Sequence, residues 1–253
     1  MEKKLILPEV LAPAGNFEKL RAAVRFGADA VYLAGRRFGM RQASENFSLE
    51  ELAEASEYLH SRGKKMYLTV NILPHGPEYP ALREFIRECA KIDIDGYIVA
   101  DLGVIAMIKE INPNADIHIS TQASIVSPEA ALEYIKLGAT RLVLARELSL
   151  REVRAIRDRI PEHIELEAFV HGSMCVSYSG RCMLSDFMVN RSANHGACAQ
   201  PCRWNYKIVE EKRPDEAMPI VETEEGTFIM SSKDMCMINH VGELVDAGIS
   251  SFK

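Results

Sequence analysis

Residues 16–35, with the sequence NFEKLRAAVRFGADAVYLAG, contain one complete example of the unit that decides the fold. Asn16, a residue type that caps the N-termini of helices, precedes the amphipathic stretch FEKLRAAVRF. Gly27 follows at a position where glycine commonly ends a helix, and the apolar run ADAVYLAG comes next. This order predicts a helix that is followed, after a tight turn, by a buried strand.

The same order recurs along most of the 253 residues. Ser48, Ser127 and Ser149 each begin a helical stretch, and the spacing from Ser48 to Glu51 is that of a capping box. The strands that follow are mostly continuous apolar runs, such as KKMYLTVN and TRLVLARE, which favour a parallel sheet covered on both faces. Counting from PEVLAPAG, we predict seven strands before residue 171.

An eighth unit is predicted near the end, as a helix through KDMCMINHVGELVDA followed by the strand ISSFK. Eight units predict a TIM-type (β/α)8 barrel made of residues 1–170 and 234–253, with a cysteine-rich insertion, residues 171–233, after strand seven. A doubly wound open sheet is the alternative, because local patterns do not show whether a sheet closes. Residues 223–227, TEEGT, are predicted to form a hairpin turn inside the insertion.

Charge and hydropathy limit the functions to be considered. The net charge of −6 gives no general attraction to nucleic acid, so RNA binding would require a local patch. The N-terminal MEKKLILPEV is too short an apolar run for a signal peptide, and no stretch approaches the roughly 18 apolar residues of a membrane span. We expect a cytoplasmic protein without membrane contact, in which thiols stay reduced.

Four of the six cysteines are clustered as Cys175-x6-Cys182-x15-Cys198-x3-Cys202. In a reducing compartment, thiolates at such spacings indicate a metal ion or a cluster. Zinc sites usually consist of two short knuckles, and here only the last two cysteines have that spacing. A structural zinc site and an iron–sulfur cluster are both open interpretations.

The sequence around each of the two other cysteines, Cys236 and Cys89, predicts a different role. Cys236, in KDMCMIN, is a further candidate ligand, although a helical cysteine among Met and Ile is more often a core residue. Cys89 lies in the helical stretch ALREFIRECAKI, far from the others, and is predicted to belong to the core.

Polar side chains stand at the predicted C-terminal ends of five strands, where barrel enzymes hold their catalytic groups. These candidate catalytic residues are Asn71, Asp101, Gln122, Arg146 and His171. Such groups, converging from different strands, suit a small polar substrate. Helix capping is the structural alternative, clearest for Asp101, which precedes LGVIAMI. The sequence contains neither H-E-x-x-H nor G-x-S-x-G.

A basic and aromatic patch for RNA is predicted around Arg181, Arg203 and Trp204. Its further members are Arg191, Lys207, Tyr178 and Tyr206. The structural alternative is a solvated loop with the aromatic rings packed beneath it. His75, in the loop LPHGPEYP, is predicted to lie on the surface.

An ordered series of motifs resembles a known family along the whole chain. The motifs are LAPAGN, GADAVYLAG, LTVNILPH, STQAS, ARELSL, EAFVHGSMCVSYSGRCMLS, NHGACAQPCRW and GTFIMSSKD. They resemble the collagenase-like peptidase family thirty-two of the unknown-mechanism class, and most of all its branch that hydroxylates transfer RNA at the wobble uridine. Other branches of that family hydroxylate ribosomal RNA or the ubiquinone ring.

The resemblance implies an eight-stranded barrel and a [4Fe–4S] cluster on Cys175, Cys182, Cys198 and Cys202, with Cys236 as the alternative fourth ligand. It also implies transfer RNA as a partner and prephenate as a co-substrate, and we expect Arg146 to hold a carboxylate of that acid. A peptidase and a cluster-bearing scaffold that needs a partner protein are the other hypotheses. Members of the family continue past SFK into I-E-G-R, so the resemblance implies a truncated C-terminus.

Overall fold

Eight parallel strands close into a barrel in the computed structural model, which describes residues 7–40, 45–175, 177–204, 208–210, 212–218 and 234–253. The first seven barrel strands are β1 (Glu9–Pro13), β2 (Ala30–Ala34), β3 (Lys65–Val70), β4 (Gly96–Val99), β5 (Ile117–Ile119), β6 (Ala139–Val143) and β7 (Glu165–Ala168). The next four are short and lie outside the barrel: β8 (His171–Gly172), β9 (Ile208–Glu210), β10 (Arg213–Met218) and β11 (Met235–Cys236). The eighth barrel strand is β12 (Ser251–Phe252).

Helices follow the barrel strands in the predicted alternation. They are α1 (Phe17–Arg25), α2 (Leu49–His60), α3 (Tyr79–Cys89), α4 (Leu102–Ile111), α5 (Pro128–Lys136), α6 (Leu150–Arg157) and α8 (Val241–Asp246), while α7 (Leu184–Val189) belongs to the insertion after β7. The strands are hydrogen-bonded in the order β1-β12-β7-β6-β5-β4-β3-β2. In register, Ser251 stands opposite both Glu9 and Glu167, so β12 joins β7 to β1. The (β/α)8 prediction is confirmed, and the open sheet is excluded.

The predicted caps fix where the helices begin. The side chain of Asn16 accepts a hydrogen bond from Lys19 N at 2.9 Å. Ser48 and Ser149 form complete capping boxes. Gly27, after α1, has a φ of 96°, a left-handed conformation that favours glycine. Local sequence and tertiary structure therefore agree in this part of the chain.

The interior of the barrel contains a buried charge network around Arg141 of β6, whose side chain is 1% exposed. Its guanidinium donates to Glu9 Oε1 at 2.6 Å, to Glu165 Oε2 at 2.7 Å and to Glu167 Oε2 at 3.2 Å. Tyr67 Oη lies 3.3 Å from Arg141 Nη2. A buried arginine is tolerated where carboxylates pair with it in this way. The network lies near the N-terminal ends of the strands, which we call the bottom of the barrel.

The helix predicted through KDMCMINHVGELVDA is wrong in its first half. Residues 235–236 form β11, which pairs antiparallel with β8, so that Cys236 stands opposite His171. Met237 N donates to Val170 O at 2.8 Å, and α8 begins only at Val241. Pairing with a distant strand overrides the local helical pattern here. Cys236 is consequently exposed, which excludes the core alternative and leaves it a candidate ligand.

Some predictions fall on residues outside the described ranges. These are the TEEGT turn at residues 223–227 and the patch members Tyr206 and Lys207. Within the part of the chain that the structure describes, none of the helices is both long and apolar enough to cross a membrane.

Candidate functional site

A cavity of about 280 Å³ opens at the C-terminal ends of the barrel strands; we call it the mouth cavity. Three of the five predicted strand-end residues line it, namely Asn71 after β3, Gln122 after β5 and Arg146 after β6. Cys175, from the insertion, and Lys253, after β12, line it as well. The remaining polar and aromatic lining includes Tyr32, Thr69, Ser120, Thr121, Phe169 and Ser179. The structure thus brings groups from several strand ends and from the insertion to one place.

Three polar atoms of this lining are buried without a hydrogen-bond partner among the described residues: Asn71 Oδ1, Gln122 Oε1 and Arg146 Nε. An unsatisfied buried polar group typically costs about 1–3 kcal/mol, so each atom would be stabilised by a ligand that bonds to it. The cavity therefore offers two acceptors and one charged donor. A small acid with a hydroxyl group can satisfy the donor through its carboxylate and one of the acceptors through its O–H.

The charge of Arg146 is uncompensated within the described part of the chain, where no carboxylate forms an ion pair with it. Its guanidinium carbon lies 5.5 Å from the centroid of the Phe169 ring. The neighbouring carboxylate of Glu147 instead accepts hydrogen bonds from Ser179 N at 2.7 Å and Ser179 Oγ at 3.2 Å. An arginine fork held in this way is suited to a carboxylate, which it binds through two parallel hydrogen bonds.

Lys253 was not among the candidates drawn from the sequence. Its ammonium lies 3.1 Å from Glu167 Oε1 and 4.2 Å from the centroid of the Tyr32 ring, and its side chain is 7% exposed. The residue stands at the end of the predicted strand ISSFK, so the rule that selected the other strand-end residues applies to it too.

Asp101 and His171 lie outside the mouth cavity. Asp101 Oδ1 accepts hydrogen bonds from Val104 N at 3.0 Å and from Tyr79 Oη at 2.6 Å, so this carboxylate caps α4. Burial, together with the hydrogen bond to Asp101, raises the pKa of Tyr79 to about 12. His171 is exposed in β8 and faces the solvent beside the insertion.

The four clustered cysteines influence one another electrostatically. Burial raises the pKa of the Cys202 thiol, and the charges of Cys175, Cys198 and Cys182 raise it further. No disulfide joins any of the six cysteines, all of which are described. Cys89, by contrast, is fully buried in α3, and burial raises its pKa to about 12. The assignment of Cys89 to the core is confirmed.

The surroundings of these thiols suit thiolate ligands. Leu184 N lies 3.3 Å from Cys182 Sγ, and Gln200 N lies 3.3 Å from Cys198 Sγ, so backbone N–H groups face both sulfurs. Among the described residues, no three His, Cys, Asp or Glu side chains stand close enough to hold one metal ion. Each thiolate of a [4Fe–4S] cluster binds a different iron, so its ligands stand farther apart than those of a single ion. Four thiolates on one stretch of chain are a donor set that can hold either a [4Fe–4S] cluster or zinc.

The part of the insertion at residues 171–204, which we call the cysteine segment, rests on the barrel mouth. Arg181 Nε donates to Gln122 O at 2.8 Å, and Leu73 N donates to Asn194 O at 3.3 Å. A Cβ atom at Gly196 would lie 2.5 Å from Gly39 O, and its φ is 82°, so only glycine fits there. These contacts position the cysteines beside the cavity.

One serine–histidine–carboxylate arrangement occurs in the cysteine segment. Ser192 Oγ lies 2.9 Å from His195 Nδ1, and His195 Nε2 lies 3.3 Å from Glu78 Oε2. The serine precedes its histidine by three residues and begins the same short turn. The histidine ring also packs edge-on against exposed His75, with 4.6 Å between the centroids. We interpret this group as a contact that joins the segment to the loop after β3.

The predicted RNA patch is exposed, but its Arg203 already forms hydrogen bonds within the protein. Arg203 donates to Met174 O at 3.3 Å and to Asp234 Oδ1 at 3.1 Å, while Trp204 is 40% exposed. Met183, which precedes helix α7, and Phe187 within it are 75% and 85% exposed. The sequence did not predict that these two residues are exposed. Apolar residues such as those of CMLSDFMV are ordinarily expected to be buried.

Comparison with known proteins gives a consistent result. Peptidase family U32 matches residues 15–253. The tRNA hydroxylation protein P1 of Bacillus subtilis (strain 168) is 39% identical over 246 residues, which are 97% of this chain and 58% of that protein. The 23S rRNA 5-hydroxycytidine C2501 synthase of Escherichia coli (strain K12) is 37% identical over 245 residues, which are 97% of this chain and 36% of the synthase.

A solved structure is similar as well. The U32 peptidase Mk0906 aligns with a TM-score of 0.58 at 21% identity, covering 69% of this chain and 73% of that one. This likeness shows the fold. The chain spans 58% of the length of the first relative.

Proposed function

The chain belongs to peptidase family U32, and we propose that it supports hydroxylation of transfer RNA at the wobble uridine, giving 5-hydroxyuridine. The relative named for transfer-RNA hydroxylation supports this substrate, because 97% of the present chain aligns with it. The observation that carries the proposal is that Arg146 and Cys175 line the same cavity. A cation without a partner carboxylate among the described residues thus shares a cavity with Cys175, one of the four clustered cysteines.

In this proposal Cys175, Cys182, Cys198 and Cys202 hold a [4Fe–4S] cluster. Cys202 is preferred to Cys236 as the fourth ligand, because its thiol is within electrostatic range of the other three. When bound, such a cluster supplies electron-transfer chemistry that side chains cannot provide. The backbone N–H groups at Leu184 and Gln200 favour the charged thiolates.

The mouth cavity binds prephenate as the small acid. Arg146 takes a carboxylate, with the plane of its guanidinium supported by Phe169. The oxygens of Asn71 and Gln122 lack partners within the described structure, and one of them accepts a hydrogen bond from the single hydroxyl group of the acid. The side chains exclude water from the acid and orient it toward the cysteine segment.

Transfer RNA is held at the rim of the cavity by exposed groups of the cysteine segment. Arg181 and Arg203 contact phosphate, and Trp204 stacks on an unpaired base. Because the net charge of the chain is −6, this local surface rather than overall charge accounts for binding. A further protein partner is compatible with the exposed face of α7.

The test is the nucleoside profile of transfer RNA from cells that lack the protein. We expect 5-hydroxyuridine to disappear and to return with the wild-type gene. Cys175→Ala should not restore it and should lower the iron content of anaerobically purified protein, whereas the matched core variant Cys89→Ala should restore it. Normal 5-hydroxyuridine in the deletion strain would contradict the proposal. Peptide cleavage by pure, iron-free protein that Ser192→Ala abolishes would establish the peptidase instead.

A further inference from the structure

Two cations of the mouth cavity converge on one aromatic ring. The guanidinium carbon of Arg146 and the ammonium nitrogen of Lys253 each lie 5.5 Å from the centroid of Phe169. The two residues follow different strands, β6 and β12, and both line the cavity. A ligand that reaches Arg146 across this ring therefore comes near a second positive charge.

The Lys253 ammonium contacts two groups of the barrel, the carboxylate of Glu167 and the ring of Tyr32. Glu167, which is fully buried, offers Oε1 at 3.1 Å, while its other oxygen lies 3.2 Å from Arg141 Nη1. Glu167 thus faces a cation at each oxygen, and its contact with Lys253 is an ion pair without hydrogen-bond geometry. The Tyr32 ring, 4.2 Å from the ammonium, restrains it on another side.

The ammonium retains hydrogen-bonding capacity for a ligand. A lysine has three N–H donors, and the described residues supply Lys253 with one carboxylate partner, Glu167. The side chain is 7% exposed, and it belongs to the cavity lining rather than to the outer surface. A donor that is nearly dehydrated and held in place binds an anion more strongly than a surface lysine does.

We propose that Lys253 is the second ligand-binding cation of the mouth cavity, and that the cavity thereby selects small acids with two carboxylates over acids with one. One carboxylate binds Arg146 and the other binds Lys253, and both cations lie 5.5 Å from the centroid of the Phe169 ring. The volume of about 280 Å³, just below the roughly 300–1,000 Å³ of common small-molecule sites, limits the ligand to a compact molecule. This inference rests on the proposed function, since it specifies the acid that the site takes.

The test compares prephenate, which has two carboxylates, with phenylpyruvate, which has one, by titration calorimetry on the full-length protein. We expect the wild type to prefer prephenate. Lys253→Met should weaken prephenate binding roughly tenfold to a hundredfold, the effect of losing one charged hydrogen bond, and should leave phenylpyruvate binding unchanged. Lys253→Arg should retain the preference. Lys65→Met, which removes a lysine at the bottom of the barrel, should change neither affinity.

Lys253→Met removes the cation beside Oε1 of the buried Glu167, which can destabilise the fold. The double variant Lys253→Met/Glu167→Gln removes both charges, so it separates a loss of binding from a loss of folding. It should lose the preference as the single variant does. Retention of the wild-type preference by a folded Lys253→Met or double variant would overturn the inference while leaving the acid site at Arg146 intact. Binding of neither acid by the wild type would overturn the inference together with the proposed acid site.

Discussion

Arg141 and Arg146 are five residues apart, yet they lie at opposite ends of the barrel and differ in their carboxylate partners. At the bottom, Arg141 contacts three carboxylates, Glu9, Glu165 and Glu167, within 3.2 Å. At the mouth, Arg146 has a buried Nε without a partner and pairs with no carboxylate of the described chain. The difference separates an arginine that holds the barrel together from one that is available to a ligand, as expected of barrel enzymes.

A second cavity, of about 330 Å³, lies at the bottom of the barrel, and we call it the bottom cavity. It contains the buried ring of His118, whose Nδ1 also lacks a partner among the described residues. Burial, and then the nearby cations Arg141, Lys253 and Lys65, hold the pKa of His118 well below its usual range. The bottom cavity therefore presents a neutral imidazole and paired charges, whereas the mouth presents an uncompensated cation.

The largest effect is expected when Arg141 is replaced with Met. This change leaves three carboxylates close together in the barrel, so we expect the free energy of unfolding to fall by about 3–5 kcal/mol. Urea denaturation followed by circular dichroism measures the loss. A decrease below about 1 kcal/mol, within the range of ordinary surface changes, would mean that the network does not stabilise the barrel.

Arg146→Met is the matched substitution at the mouth. It should weaken prephenate binding roughly tenfold to a hundredfold and abolish transfer-RNA modification, because the bidentate partner of the acid is lost. The free energy of unfolding should stay constant or rise, since an unpaired buried donor is removed. Iron content, measured in the same preparation, should not change. If the variant instead unfolds as readily as Arg141→Met, the two arginines do not differ in role.

Asn71→Ala tests the neutral part of the mouth cavity. A neutral hydrogen bond contributes about 0.5–1.5 kcal/mol, so prephenate binding should weaken roughly two- to tenfold, measured by the same titration. Asn114→Ala, at an exposed position outside the cavity, serves as the control and should have wild-type affinity. Equal affinities for the two variants would remove Asn71 from the site.

The smallest effect concerns pH and the bottom of the barrel. Burial acts to raise the pKa of Glu9, but the hydrogen bond and charge of Arg141 outweigh it, so the pKa lies below its ordinary value of 4.5. A carboxyl whose pKa is lowered by folding stabilises the folded state above its unfolded pKa and loses this contribution as pH falls through the folded pKa. Urea denaturation at a series of pH values below 4.5 should show a shallower decline for Glu9→Gln than for the wild type. Parallel declines would assign the acid sensitivity to other groups.

The sequence predicted the mouth better than the bottom, for a physical reason. Carboxyl ends of parallel strands meet at one rim, so position along each strand was enough to bring Asn71, Gln122 and Arg146 together. The partners of Arg141 depend on which side chains point inward and on contacts with residues as distant as Glu9, which local periodicity does not encode. Such long-range pairing appears only once the barrel is closed.

Two strand-end candidates, Asp101 and His171, lie outside the mouth cavity for local reasons. Asp101 occupies a strand end but also precedes a helix, and the helix N-terminus takes its carboxylate. His171 follows β7, but β8 carries it away from the cavity to pair with the strand that contains Cys236. Lys253 also stands at a strand end. Because lysine is mostly a surface residue, its type does not indicate that it is buried in the cavity lining.

Cys175 belongs both to the four clustered thiols and to the lining of the mouth cavity, so the proposed iron and acid sites would share one residue and could be linked thermodynamically. If iron on the thiols changes the affinity for an acid by some factor, the acid must change the affinity for iron by the same factor. The supply of the acid in the cell would then govern how much of the protein keeps its metal. Iron extraction by a chelator, timed with and without prephenate, would report this coupling even in the absence of transfer RNA.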